Sequence, residues 1–239
     1  MSTTEYMISK IHSAGAAEVI QKGESWAEAD RYLKEFIIPR AKSTGEVAIY
    51  VPPFDAKEIW EGNATIVTEI LEQLGRESNP PGALVCSVGG GGLFCGLVRG
   101  LDDAGHSDVR VLAVETDGAH SLALALEKGQ LTTLPAITSM ATSLGARTVA
   151  PQALAYAQRD SVQNIVLKDS DAMEGCVRFA DDERIMVETA CGVCLALCYN
   201  GKLKNILPDL NEKSKVVIVV CGGSNVTVGM LHKWATLES

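Results

Sequence analysis

Residues 83–101 read ALVCSVGGGGLFCGLVRGL, an apolar run that enters four consecutive glycines and leaves as a second apolar run with different spacing. Ala83 to Val88 is short, β-branched and uncharged, which predicts a strand buried on both faces. A helix is expected to start near Leu93. Glycine loses the most backbone freedom on folding and packs nothing, so four in a row need a reason. Without Cβ atoms the backbone can turn sharply and bring several N–H groups to one ligand, and a helix N-terminus adds partial positive charge. Gly89, Gly90, Gly91 and Gly92 therefore read as a phosphate cradle. The plain alternative is a tight strand-to-helix turn, and the loop alone does not name the phosphate's owner.

Outward from the loop, the pattern alternates. Ser25-Trp26-Ala27-Glu28 has the form of a capping box, and Trp26, Ala29, Leu33, Phe36 and Ile37 then recur at helical spacing. Val47 to Val51 predicts a strand stopped by Pro52-Pro53, and residues 57–74 a helix. Further strands are expected at 109–115, 162–167 and 216–221. Helices are expected at 119–128, from Pro151, from a capping box at Asp171 and Glu174, at 185–199, and after Gly222-Gly223-Ser224-Asn225. Residues 135–149 look irregular. Gly92, Gly96 and Gly100 recur every four residues, which reads as close helix-to-strand packing. The whole is an α/β pattern, a mostly parallel sheet flanked by helices.

Composition narrows the function. With 46% hydrophobic and 21% charged residues, the 239-residue chain has ordinary globular usage. Its net charge is −9 and its lysines and arginines are scattered, which disfavours nucleic acid. The longest apolar runs, such as Val216 to Cys221, fall far short of the roughly 18 residues that mark a membrane span. No targeting pattern appears in the first twenty residues. Seven cysteines, an odd number in apolar contexts, suit reduced thiols in the cytoplasm. Cys191, Cys194 and Cys198 share a helical face, where core packing is the better reading than zinc because no histidine lies near. His12, His106, His120 and His232 are isolated and are expected at the surface or satisfied locally.

Two nucleotide-binding fingerprints fail. Glu115 ends a strand about 20 residues beyond the loop, as in a dinucleotide site, but the third glycine of G-x-G-x-x-G would fall on Phe94 or Cys95. No Gly-Lys-Ser/Thr follows the glycines, so a P-loop fails as well.

Six strings in register carry a resemblance: YVPPFD with IWEGNATI (50–66), SVGGGGLFCGLVRGL (87–101), VLAVETDGAHS (111–121), ITSMATSLGA (137–146), VETACGVCLAL (187–197) and VVIVVCGGSN (216–225). Together they resemble the L-serine/L-threonine dehydratases of the fold-type II pyridoxal-phosphate enzymes, from about Lys10 to the last helix. The resemblance implies a tryptophan synthase β-like sheet, with residues 1–45 a remnant of the small domain and 46–239 the large one. It implies that Gly89 through Leu93 hold the cofactor phosphate and that Cys221 faces the pyridine nitrogen. A thiol is a weak, neutral partner there; without the resemblance, Cys221 reads as a small buried hydrophobe. The resemblance further implies a monovalent cation such as K+, held by Glu115 and the carbonyls of Gly89, Ala119, Leu144 and Ala146. Taken alone, Glu115 reads as a solvated acid at a strand end.

Such dehydratases carry a Schiff-base lysine in a Ser-Phe-Lys-like string and an Asn-containing loop for the substrate carboxylate. Neither string occurs here: Lys10, Lys22, Lys34, Lys42 and Lys57 have other neighbours, and MISKIHSAGAAEVI (7–20) resembles the segment that follows both. The expectation is an N-terminally truncated lyase acting on a small amino acid by PLP-dependent β-elimination, with no catalytic residue of its own and little activity alone. It would form a homodimer or pair with a full-length relative. The alternatives are a non-catalytic partner subunit and, disfavoured by the glycine spacing, a dinucleotide-binding oxidoreductase domain.

Overall fold

Thr4 and Ser25 begin the first helices by offering side-chain oxygens to free backbone N–H groups. The computed structural model describes residues 3–75 and 80–237, which divide into compact units at residues 1–52 and 53–239. In the first unit, Thr4 Oγ1 accepts from Met7 N at 3.4 Å at the head of α1 (Glu5–Ser13). Ser25 Oγ accepts from Glu28 N at 3.3 Å at the head of α2 (Trp26–Tyr32). Glu28 completes the motif one residue earlier than its form suggests, accepting from Glu24 N at 2.7 Å. A π turn, Leu33–Ile37, leads into α3 (Ile38–Ser43), where Pro39 has no N–H to continue the regular ladder.

The strand expected at Val47 to Val51 does not form. Exposure alternates as it would in a strand, with Val47, Ile49 and Val51 at 89%, 81% and 73% and Ala48 and Tyr50 half-buried, yet no ladder partner exists among the described residues. Period-two patterning gives a strand only where another strand accepts its hydrogen bonds.

The second unit is built on a parallel sheet of β1 (Ala83–Ser87), β2 (Arg110–Thr116), β3 (Val162–Leu167) and β4 (Val216–Ile218) in the order β3-β2-β1-β4. Its helices are α4 (Lys57–Leu74), α5 (Gly92–Asp103), α6 (Ser121–Lys128), α7 (Pro151–Ala157), α8 (Asp169–Glu183), α9 (Thr189–Tyr199), α10 (Lys202–Ile206) and α11 (Val228–Ala235). Alternation along the central strands sends Leu84, Cys86, Val111 and Ala113 into one core with α4, α5, α6 and α7. Ala83, Val85, Leu112 and Val114 enter the opposite core with α8 and α9. Burial of both faces explains why these strands read as unbroken apolar runs.

Several boundaries differ from the expectation. Strand β4 stops at Ile218; Val219 N still reaches Val85 O at 2.9 Å, but the chain then leaves the ladder before Cys221. Helix α8 begins at Asp169, and Asp171 serves as its third residue, accepting from Lys168 N at 3.0 Å. Arg184 closes α8 in the left-handed region at φ 64°, so residues 185–188 run as a connector and α9 starts at Thr189.

Glycines set the helix contacts. Gly96 and Gly100 bring α5 against α4, not against a strand: a Cβ on Gly96 would strike Asn63, and one on Gly100 would lie 2.8 Å from Ala64 O. Gly175 and Gly192 let α8 and α9 touch backbone to backbone. We expect Gly192→Ala to destabilise the chain by about 2 kcal/mol through overpacking. Gly62→Ala, on an open face of α4, should stabilise it by about 0.8 kcal/mol. Urea midpoints of the two variants check both signs.

Candidate active site

The four glycines sit where β1 gives way to α5, at the carboxyl edge of the sheet, which is where open parallel sheets bind ligands. Among the described residues, the backbone N–H groups of Gly89, Gly90, Gly91, Gly92 and Leu93 donate to no backbone or side-chain acceptor. Gly91 and Gly92 are buried, so their donors lie out of solvent with nothing to bond. Gly91 takes the left-handed conformation, φ 95°, as the N-cap of α5 and offers no side chain. A side chain would be crowded at each of the four. A Cβ on Gly89 would lie 3.0 Å from Leu144 Cα, one on Gly91 2.6 Å from Ala153 Cβ, and one on Gly92 2.9 Å from Phe54 Cα. On Gly90 it would enter the ring of Phe54. The loop is pinned from behind, where Ala150 N donates to Gly90 O at 3.0 Å.

Cys221 belongs to the same edge. Parallel pairing sets Ala83 beside Val216 and Val85 beside Ile218, and Val219 N still donates to Val85 O at 2.9 Å, so the segment that reaches Cys221 leaves the sheet at the carboxyl edge where β1 runs into the glycines. The thiol is exposed, which corrects its reading as a buried hydrophobe. The side chain of Cys191, the third residue of α9, lies close enough to affect its titration. Cys191 packs in the core as its sequence context implies, in a buried cluster with Cys176, Val187, Leu195, Val226 and Trp234, while its proximity to Cys221 has no local signal in either segment. Of the other two cysteines on that helical face, Cys194 is buried and Cys198 reaches the surface. The turn after Cys221 is clamped to the start of α9: Glu188 N donates to Gly222 O at 3.2 Å, and Asn225 N donates to Glu188 Oε2 at 2.9 Å. Asn225 Nδ2 also donates to Thr142 Oγ1 at 2.9 Å.

Glu115, at the end of β2, is fully buried, so it is not a solvated strand-end acid. Its Oε1 accepts from Leu122 N at 2.8 Å, and its Oε2 from Ala123 N at 2.9 Å and Asn164 Nδ2 at 3.0 Å. The carboxyl therefore caps α6. Burial pushes its pKa up to about 7, against the opposing pull of the two backbone N–H groups and Asn164. Among the carbonyl residues of the expected cation set, Gly89 packs on Leu144, and Ala119 N closes the turn after β2 by donating to Thr116 O at 2.9 Å. Ala146 N donates to Leu144 O at 2.8 Å. Ser121, in the same turn as Ala119, is fully buried and its hydroxyl has no partner among the described residues. His120 Nδ1 accepts from Gly118 N at 3.0 Å, a local satisfaction and not a catalytic posture.

An uncapped helix start with a row of orphaned amides is suited to an anionic group such as a phosphate. Comparison with known proteins supplies the class. Residues 1–222 match the family described as "Pyridoxal-phosphate dependent enzyme". The chain is 44% identical over 232 residues to L-serine dehydratase of Saccharomyces cerevisiae strain AWRI1631, covering 95% of this chain and 68% of that protein. It is 42% identical over 238 residues to a rat protein named serine dehydratase-like, covering 98% and 69%. The crystal structure of a fungal L-serine ammonia-lyase from Rhizomucor miehei superposes with a TM-score of 0.85 at 33% identity, covering 98% of this chain and 71% of that one. The chain belongs to the pyridoxal-phosphate dependent enzymes, in the branch of the L-serine dehydratases. Its residues fit that cofactor on their own evidence: orphaned, partly buried amides suit a phosphate ester, and every glycine excludes a Cβ that would crowd the loop.

The buried carboxyl makes stability depend on pH. An acid whose folded pKa lies above its ordinary 4.5 binds its proton more tightly in the folded state, so stability declines as pH rises from 4.5 towards 7. We expect Glu115 to contribute up to about 3 kcal/mol of such decline in buffers free of alkali cations. Urea unfolding across that range should lose this slope in Glu115→Gln; an unchanged slope would assign the dependence elsewhere.

Proposed function

We propose that this chain holds pyridoxal phosphate with its phosphate on the amides of Gly89 to Leu93 and its ring nitrogen towards Cys221. In this reading it serves the deamination of L-serine or L-threonine to pyruvate or 2-oxobutyrate and ammonia. The observation that carries the reading is the unbroken run of uncommitted N–H groups at the head of α5, at the sheet edge where the segment after β4 also emerges. The names of the relatives support the choice of substrate. When bound, the cofactor supplies an electron sink for the substrate's Cα. The chain's own residues do the rest of what can be assigned. The amides fix and orient the phosphate, and the Phe54 ring covers the loop at Gly90. Cys221 offers the ring nitrogen a neutral group in place of an acid, which keeps the ring mildly electron-withdrawing and favours early loss of the β-hydroxyl.

None of the chain's lysines lies in a Ser-Phe-Lys string, so we read the 239-residue polypeptide by itself as binding the cofactor without a covalent link. An all-oxygen set of Glu115 with the carbonyls of Gly89, Ala119, Leu144 and Ala146 suits a monovalent cation such as K+. The orphaned Ser121 hydroxyl in that turn supports a polar occupant nearby. We assign residues 1–45 to the small domain and 46–239 to the large one. The seven free cysteines support a reducing, cytoplasmic setting, and no described helix is long and apolar enough to cross a membrane.

Val47, Ile49 and Val51 favour a second element of the reading, association with another chain, either a copy of this one or a full-length relative. Unpaired apolar stretches with strand periodicity recruit strands.

Titration of the purified chain with pyridoxal phosphate should give saturable absorbance changes that inorganic phosphate competes away. Gly91→Ala should weaken binding at least about tenfold with secondary structure intact, since it loses the left-handed turn and crowds Ala153. Pyruvate release from serine by this polypeptide alone should be negligible, and brisk release would refute the non-covalent reading. Light scattering should report a dimer or larger species that Ile49→Lys shifts towards monomer; a monomeric native chain rules out self-association, and failure to co-purify with an active dehydratase rules out the mixed form.

A further inference from the structure

The stretch whose sequence reads as irregular is closed into a loop. Leu134 N donates to Arg147 O at 2.8 Å, Arg147 Nε donates back to Leu134 O at 2.6 Å, and the Thr133 and Thr148 hydroxyls pair at 2.7 Å. Surface loops of this length with their ends joined form compact units, often with a function. The backbone of this one lies directly on the glycines: a Cβ on Gly89 would lie 3.0 Å from Leu144 Cα and 3.3 Å from Ser143 O. Just past its neck, Ala150 N donates to Gly90 O at 3.0 Å. Thr142 Oγ1, within the loop, accepts from Asn225 Nδ2 at 2.9 Å in the turn after Cys221. Both flanks of the proposed cofactor site therefore rest against the loop.

Its charged anchor comes from outside it. Asp169, the first residue of α8, accepts from Ser139 Oγ at 2.6 Å through Oδ1 and from Met140 N at 2.9 Å through Oδ2. A carboxylate can only accept, so the Ser139 hydroxyl hydrogen points at Asp169 and its oxygen is left to accept. It does so twice, from Ala141 N at 3.0 Å and from the Thr116 hydroxyl at 2.8 Å. Every hydrogen-bonding position of the Ser139 side chain is filled, and both Ser139 and Thr116 are buried.

We propose that Asp169 is a positioning residue for the cofactor phosphate: through Ser139 and Met140 it fixes the loop of residues 134–147, and the loop in turn fixes where Gly89 presents its N–H. The inference rests on the reading that the glycine amides hold that phosphate. Among the described residues, Asp169 makes no hydrogen bond to the glycine turn itself. Its influence passes through the loop, and because Gly89 has no side chain between its backbone and Leu144, a shift of the loop reaches the turn undamped.

Asp169→Ala should weaken binding of pyridoxal phosphate to the full chain by at least about tenfold. Asp169→Asn, which keeps an oxygen for Met140 N and a polar group for Ser139, should recover most of that loss. Asp171→Ala is the control for a merely structural role. It strips the same helix start of its bond to Lys168 N and of the Lys202 ion pair, neither of which joins the loop, and should lower the urea midpoint while leaving the affinity unchanged. Hydrogen exchange on the unloaded chain gives a second readout: Asp169→Ala should speed exchange of the Thr138 and Ala150 amides, which donate to Gly118 O and Gly90 O, and Asp171→Ala should not. If Asp169→Ala does not fold, Ser139→Ala, which cuts the link from the loop's side, should show the same two effects. Native affinity in Asp169→Ala, or an equal loss in Asp171→Ala, overturns the proposal. If the native chain takes up no pyridoxal phosphate, the reading of the site falls, and exchange at Ala150 decides the hold of Asp169 on the glycine turn: faster exchange in Asp169→Ala upholds it, and unchanged exchange overturns it.

Discussion

The site depends on backbone donors that folding leaves without acceptors. A helix start always has N–H groups to spare, and a protein ordinarily covers them with a Ser, Thr, Asp or Asn cap. Helix α5 is denied that cover: its N-cap is Gly91 in a left-handed turn, and the residues before it are glycines too. Burying such donors costs free energy that only an acceptor from outside the chain can return. The rest of the second unit serves to hold that arrangement open. Strand β1, buried on both faces, fixes where the loop begins. The approach of α5 to α4 through Gly96 and Gly100 fixes where it ends.

The thiol side is built with less rigidity. Strand β4 contributes only Val216–Ile218 to the ladder, so Cys221 is placed less by the sheet than by the polar clamp from Glu188, Asn225 and Thr142. One flank of the proposed site is therefore set by close-packed backbone and the other by a small hydrogen-bond network.

Much of this was legible in the sequence. The four glycines, the strand before them and the helix after them follow from apolar spacing and from what glycine costs, and six strings in register named the family. What the sequence misreported has physical causes. Val47 to Val51 has the alternation of a strand but lacks a partner, and pairing is not a local property. Gly96 and Gly100 announce a close approach without saying to what. Residues 185–188 are apolar enough for a helix, but Arg184 had already turned the chain out of one. Glu115 was ambiguous because a carboxyl after a strand reads alike whether water or a helix start receives it, and only the fold brought Leu122 and Ala123 to meet it. Cys191 and Cys221 lie close although they are 30 residues apart on different elements, and no spacing rule reaches that far.

The brevity of β4 has a consequence for how the molecule breathes. An edge strand with three ladder residues is the natural place for the sheet to unzip, and local opening there would carry Cys221 and everything after it away while β1, β2 and β3 stay paired. A ligand gripped between the glycine turn and that sulfur would act as a stitch across the seam. Occupancy would then be written into the tail itself, as slower amide exchange and fewer proteolytic nicks near α11.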